Sequence, residues 1–175
     1  MKKALVVIDF QNDFVTGSLG FKDAELLEDK INIKIASALI NNTDLFFTFD
    51  THFDNYLYTR EGKSLPVLHC QKDSWGHKLV NSTAQFLPNA KLIFEKSSFA
   101  SIDLAQYLKD EDYDIVELIG LVSNICVLSN AVMIKSFLPE AEIIVDASCI
   151  AGPDKNLTQQ TLNILKGINI DVIKT

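Results

Sequence analysis

Six runs of strand length are apolar almost throughout: residues 4–9 (ALVVID), 45–50 (LFFTFD), 91–96 (KLIFEK), 115–120 (IVELIG), 141–147 (AEIIVDA) and 168–174 (INIDVIK). Continuous Val, Ile and Phe, rather than strict alternation with polar residues, marks strands covered on both faces, as in a parallel sheet. Between the runs the spacing turns helical. Residues 23–41 place Leu26, Leu27, Ile31, Ile35, Ala38 and Leu39 on one stripe. Residues 101–109 follow Ser101, an N-cap residue with Asp103 in the first turn. Residues 127–137 repeat apolar positions from Val127 to Phe137, and 155–166 follow the Gly152–Pro153 breaker with Leu157, Leu162 and Leu165 on one face. Strand alternating with helix predicts an α/β domain of three layers, α/β/α, around a six-stranded, mostly parallel, Rossmann-like sheet, with residues 1–175 forming one domain.

One stretch breaks the alternation. Residues 51–90 form a long polar connection that holds all three histidines, and a connection of that length in a compact domain is usually functional or disordered. Composition narrows the classes. A net charge of −7 argues against general nucleic-acid binding, which rests on basic patches. No run is long enough to span a membrane. The opening MKKALVVIDFQNDF meets Asp9, Asn12 and Asp13 too early for a signal peptide and reads as a first strand. Three cysteines, an odd number without paired spacing, fit a reducing, cytoplasmic setting.

The chemistry collects where the strands end. In open α/β sheets ligands bind at the carboxyl ends of strands. The first strand ends in Asp9, the second in Asp50, the third in Lys96, and the fourth runs into GLVSNICVLSN (120–130), a small-residue turn that delivers Cys126 to the start of a helix. A thiol at a helix N-terminus tends to a lowered pKa. If the first, third and fourth strands are neighbours, Asp9, Lys96 and Cys126 meet. Lys96 would then favour the thiolate, and Asp9 would take and return its proton. Asp50 and His52 stand two apart, and an extended backbone points both to one side. His69 lies seventeen residues further on. His77 falls outside this pattern and is expected at the surface, while Cys70 and Cys149 have no basic partner in sequence and are expected to be structural.

The ordered set VVIDFQNDF (6–14), FTFDTH (47–52), LPVLHC (65–70), FEKSSFAS (94–101) and GLVSNICVLSNA (120–131) resembles the isochorismatase-like cysteine hydrolases, and among them the nicotinamidase-type amidases. The resemblance implies a catalytic triad of Asp9, Lys96 and Cys126. It implies a non-proline cis peptide at Leu121–Val122 and an oxyanion hole from the N–H groups of Val122 and Cys126. It implies a divalent metal such as zinc held by Asp50, His52 and His69, a carboxylate and two imidazoles that suit such an ion, with Glu61 as a further carboxylate. Phe14, Phe99 and Leu121 would meet the substrate. The implied reaction is hydrolysis of nicotinamide or a similar small amide through a thioester, with no organic cofactor, in a homo-oligomer (dimer or tetramer). The chain departs from the nicotinamidase pattern at Pro66, at Asp73–Gly76 and at Asn124, which leaves the triad positions intact. Three alternatives stand beside this reading: a metal-free hydrolase of carbamoyl or ureido substrates, an ether hydrolase, against which Cys126 counts, and a non-catalytic binding module.

Overall fold

The computed structural model describes residues 1–175. Six strands form one sheet in the order β3-β2-β1-β4-β5-β6: β1 Lys3–Ile8, β2 Asp44–Asp50, β3 Leu92–Lys96, β4 Ile115–Leu121, β5 Glu142–Ala151 and β6 Asp171–Ile173. Every pairing is parallel. The apolar runs are therefore strands buried on both sides. In β1, Ala4, Val6 and Ile8 enter one core, and Leu5 and Val7 enter the other. The first core is covered by α5 (Ile102–Asp110), α6 (Leu128–Phe137) and α7 (Lys155–Gly167), and the second by α2 (Glu28–Ile40) through Ile31 and Ile35. Three short helices complete the set: α1 (Asn12–Val15), α3 (Arg60–Ser64) and α4 (Asn81–Ala84).

The caps follow sequence chemistry. Ser101 Oγ accepts from Leu104 N–H at 3.1 Å and starts α5, and Asp154 accepts from Asn156 N–H at 2.7 Å and starts α7. Several boundaries differ from expectation. The helix expected over 23–41 begins as a 3₁₀ turn at Ala24–Leu27 before α2 takes over. β5 is longer than its apolar core because it runs on past a register shift against β4 between Leu118 and Gly120. β6 shrinks to three residues at the sheet edge.

One expectation about strand order is corrected. The first and fourth strands are neighbours, but β2 lies between β1 and β3, so β3 is an edge strand. Lys96 must therefore reach across β2, which its four-carbon stem allows.

The long connection 51–90 is an ordered cover over the strand ends. His52 N–H donates to Cys70 O at 3.0 Å, and Lys72 N–H donates back to His52 O at 2.8 Å. Asn12 N–H donates to Lys78 O at 2.9 Å, and Val80 N–H to Phe10 O at 3.2 Å. Gly76 is needed here: a Cβ on it would lie 1.9 Å from Asp13 Oδ2. Gly120 is needed for a different reason. Its φ is +114°, and a Cβ would meet Ile8 O at 2.1 Å as β4 ends against β1.

Candidate active site

Asp9, Lys96 and Cys126 meet at the strand ends. Lys96 Nζ lies 2.6 Å from Asp9 Oδ2 and 3.6 Å from Cys126 Sγ. All three side chains are buried. Asp9 leaves β1 with a positive φ of 43°, a conformation that costs a non-glycine residue on the order of 1–3 kcal/mol and gathers at functional sites. Its Oδ1 accepts from Thr48 Oγ1 at 2.6 Å, so the carboxylate is aimed from two sides. Cys126 sits in a π-helical turn, Ser123–Val127, that precedes α6. The Leu121–Val122 peptide bond ahead of it is cis, as the resemblance implies.

Electrostatics correct one expectation. The Cys126 thiol is not lowered at rest. Burial and then the Asp9 carboxylate push its pKa well up, and the pull of Lys96 does not offset them. Asp9 is also raised, first by burial and then by Asp50, against the opposing charge of Lys96. Burial would lower Lys96, but Asp9, Cys126 and Asp50 outweigh it and hold the ammonium charged. The resting site is thus a thiol beside a carboxylate whose affinity for a proton is above normal, with a fixed cation between them.

A second group adjoins the first. Asp50, at the end of β2, lies 3.5 Å from Lys96 Nζ through Oδ1, while its Oδ2 is 3.1 Å from His52 Nε2 and 3.4 Å from His69 Nε2. Donor atoms of these three buried residues all lie within 4.8 Å of one another. His69 Nδ1 donates to Val67 O at 2.8 Å, which leaves Nε2 as the inward-facing atom, the usual arrangement for a ligating histidine. Two imidazole nitrogens and a carboxylate oxygen converging without other partners suit a borderline cation such as zinc. Glu61 Oε1 stands 3.9 Å from both imidazoles, beside the cluster and not inside it. Tyr56 packs on both histidine rings, 4.4 Å and 5.0 Å between centroids, and its hydroxyl donates to Leu65 O at 3.0 Å. Burial, Glu61 and Asp50 push the Tyr56 phenol up to about 12.

Both groups open on one cavity of about 170 Å³. Its walls are Phe14, Leu19, Phe21, Leu65, Phe99, Val122, Ile125 and Pro153, and its chemical end is Cys126, Asp50, His69 and Glu61. Phe14 and Phe99 thus both line the cavity. Leu121 does not line the cavity: it points into the core, fully buried, and the neighbouring Val122 takes the wall. His77 is a second correction. It is buried, not at the surface, with Nε2 2.8 Å from Thr51 Oγ1 and its ring 5.4 Å from Phe49. Burial lowers its pKa. Cys70 and Cys149 are buried free thiols, both pushed upward by burial, in line with a structural role.

The residues that hold the site were not singled out from sequence. Gln11 is fully buried. Its Oε1 accepts from Asp50 N–H at 2.8 Å, and its Nε2 donates to Asp50 O at 2.9 Å and His77 O at 2.8 Å. Asp13 Oδ2 accepts from Cys70 N–H at 2.7 Å, next to His69. The sequence signal was their place two and four residues after Asp9, polar residues following an apolar strand.

Comparison with known proteins places this geometry. A family model described as "Isochorismatase domain" matches residues 3–175. The nicotinamidase of Saccharomyces cerevisiae is 24% identical, with 98% of this chain and 99% of that protein covered. Among solved structures, a pyrazinamidase/nicotinamidase from Streptococcus mutans superposes with a TM-score of 0.88 at 29% identity, over 98% of this chain and all of that one. A pyrazinamidase of Pyrococcus horikoshii in complex with zinc superposes with a TM-score of 0.87 at 21% identity over the whole of both chains.

Proposed function

The chain belongs to the isochorismatase-domain family, and from that premise we propose that it is a cysteine-dependent amidohydrolase that converts nicotinamide, or a closely similar small aromatic amide, to the acid and ammonia. The observation that carries this reading is the Asp9–Lys96–Cys126 contact at the end of a narrow, largely apolar cavity. The Cys126 sulfur attacks the amide carbonyl carbon as Asp9 takes the thiol proton. Coupling the two events suits a thiol and a carboxyl that are both raised. Lys96 stays charged throughout and stabilises whichever of its neighbours is anionic. The N–H groups of Val122 and Cys126 receive the oxyanion, and losing one such donor typically costs about 3 kcal/mol of barrier. Asp9 then gives its proton to the departing nitrogen, the C–N bond breaks and ammonia leaves. Asp9 next takes a proton from water as that water attacks the thioester, and returns it to the Cys126 sulfur as the C–S bond breaks, which frees the acid and restores the thiol.

Asp50, His52 and His69 would hold a divalent metal such as zinc, with Glu61 as a nearby carboxylate; when bound, it supplies a Lewis-acid contact for the ring nitrogen of a pyridine carboxamide. Phe14, Phe99 and Ile125 would flank the ring. The alternative, a hydrolase of ureido acids, fits less well. The cavity walls, with Phe14, Phe21 and Phe99 and no lysine or arginine, suit an aromatic ring better than the carboxylate of a ureido acid.

Ammonia release from nicotinamide, pyrazinamide and small ureido acids, with and without a chelator, tests the proposal. The expected result is turnover of the two aromatic amides, loss of it after chelation, and none with ureido acids. Turnover of ureido acids alone would favour the alternative, and no ammonia from any of the three would overturn the amidase reading.

A further inference from the structure

Asn130 is a polar residue on the buried side of α6 between Val127, Ala131 and Ile134, and it is fully buried. Its amide is satisfied in both senses. Nδ2 donates to Cys126 O at 2.8 Å and to Phe99 O at 3.0 Å, and Oδ1 accepts from Ser101 N–H at 3.0 Å. These partners lie on two separate pieces of the site. Cys126 belongs to the π turn that presents the thiol. Phe99 and Ser101 belong to the segment that leaves Lys96 at the end of β3 and enters α5. Nothing else on the α6 helix hydrogen-bonds through its side chain to that segment, although Lys96 and Cys126 must be held 3.6 Å apart across it.

We propose that Asn130 is a positioning residue that fixes the nucleophile turn against the Lys96–Phe99 segment, and so sets both the reach of the thiol and the position of the Phe99 wall. The inference rests on the amidase reading only for its kinetic readout. The two roles divide between its bonds. The bond to Cys126 O steadies the turn that carries Sγ, which bears on the chemical step. The bond to Phe99 O steadies a wall residue that is 45% exposed, which bears on substrate binding. A buried amide with every bond made confers rigidity, whereas removing it leaves several backbone groups unpaired at once.

Two variants separate the roles. Asn130→Leu keeps the branched shape, with methyl groups in place of the amide oxygen and nitrogen, and loses all three bonds. Asn130→Thr places a hydroxyl that reaches the carbonyl four residues back in a helix, Cys126 O, but is too short to reach Phe99 O as well. With nicotinamide, Asn130→Leu is expected to lower kcat at least tenfold and raise KM at least threefold. Asn130→Thr is expected to return kcat to within threefold of the parent while KM stays raised. A folded Asn130→Leu with both constants within twofold of the parent, or an Asn130→Thr that restores both constants or neither, overturns the proposal. Should Asn130→Leu fail to fold, Asn130→Thr decides alone: a raised KM at near-parent kcat supports the proposal, and an unchanged KM overturns it. Iodoacetamide labelling of Cys126, followed on its own peptide by mass spectrometry, needs no substrate. It is expected to slow at least fivefold in Asn130→Leu and recover in Asn130→Thr; equal rates in all three proteins overturn the proposal even where the parent releases no ammonia.

Discussion

Lys96, at the end of β3, and Lys34, on α2 over the sheet, are each held between two carboxylates. Lys96 Nζ lies 2.6 Å from Asp9 and 3.5 Å from Asp50, and Lys34 Nζ lies 2.7 Å from Glu117 and 2.9 Å from Asp146. The surroundings separate them. Asp146, mid-way along β5, also accepts from Ser148 N–H at 2.9 Å, from Ser148 Oγ at 2.7 Å and from the Thr175 hydroxyl. Burial would raise it, but Lys34, Thr175 and Ser148 together hold its pKa at about 2. A carboxylate so fully supplied with donors has no use for a proton. Asp9 is no less accessible than Asp146, and the difference lies in its donors: only Lys96 and the Thr48 hydroxyl reach its carboxylate, too few to offset burial and Asp50, and its pKa moves the other way. A charged triplet becomes reactive when its carboxylate is short of donors and faces a thiol and a cavity, and it becomes a brace when the carboxylate is saturated.

That contrast is open to attack, and the largest effect comes first. Asp9→Asn and Lys96→Ala are each expected to lower kcat by about 10³-fold or more, as removal of one member of a catalytic unit does, with the far-ultraviolet dichroism of the parent retained. Lys34→Ala, the matched change in the brace, is expected to leave kcat within twofold. Next, His52→Ala is expected to abolish stoichiometric zinc in a metal assay of the purified protein and to lower turnover by at least about 10–100-fold. Asp146→Asn should retain the zinc but lose about 2 kcal/mol of stability, read as a fall of ~4–8 °C in Tm for a chain of this size. The smallest effect is a separation in pH. Asp146 is held below its ordinary 3.8 at about 2, so its contribution is complete above that ordinary value and lost as pH falls toward 2. Asp9 is raised above 3.8 and must be ionised to accept the thiol proton, so kcat/KM should fall at a higher pH than folding does. Rates and dichroism across the acid range should reveal protein that is folded yet inactive; coincident losses would erase the distinction between the two triplets.

Much of this was written in residue order. Uninterrupted Val, Ile and Phe announced buried parallel strands, and the residues at their ends named Asp9, Asp50, Lys96 and the turn to Cys126. Strand order left no such trace, because the partners of a strand are set by crossovers and not by its own periodicity; hence β2 was not seen to lie between β1 and β3. Burial was legible only as a pattern. His77 read as a surface residue because the groups that enclose it, Thr51 and Phe49, lie more than twenty residues away. The same gap explains the thiol: a helix start suggested a lowered pKa, but what opposes it, complete burial and the Asp9 carboxylate just past β1, exists only after folding. Leu121 and Val122 are adjacent apolar residues, and their composition alone does not say which of the two faces the cavity. Asn130 carried a faint signal, a lone amide amid an apolar helical stripe.

The central claim is that Cys126 forms a covalent acyl intermediate with the amide. Rapid acid quenching during nicotinamide turnover, followed by peptide mass analysis, tests it most directly. A nicotinoyl adduct on the Cys126 peptide, together with no ammonia release from Cys126→Ala, is the expected result; ammonia release by Cys126→Ala at the parent rate would contradict it.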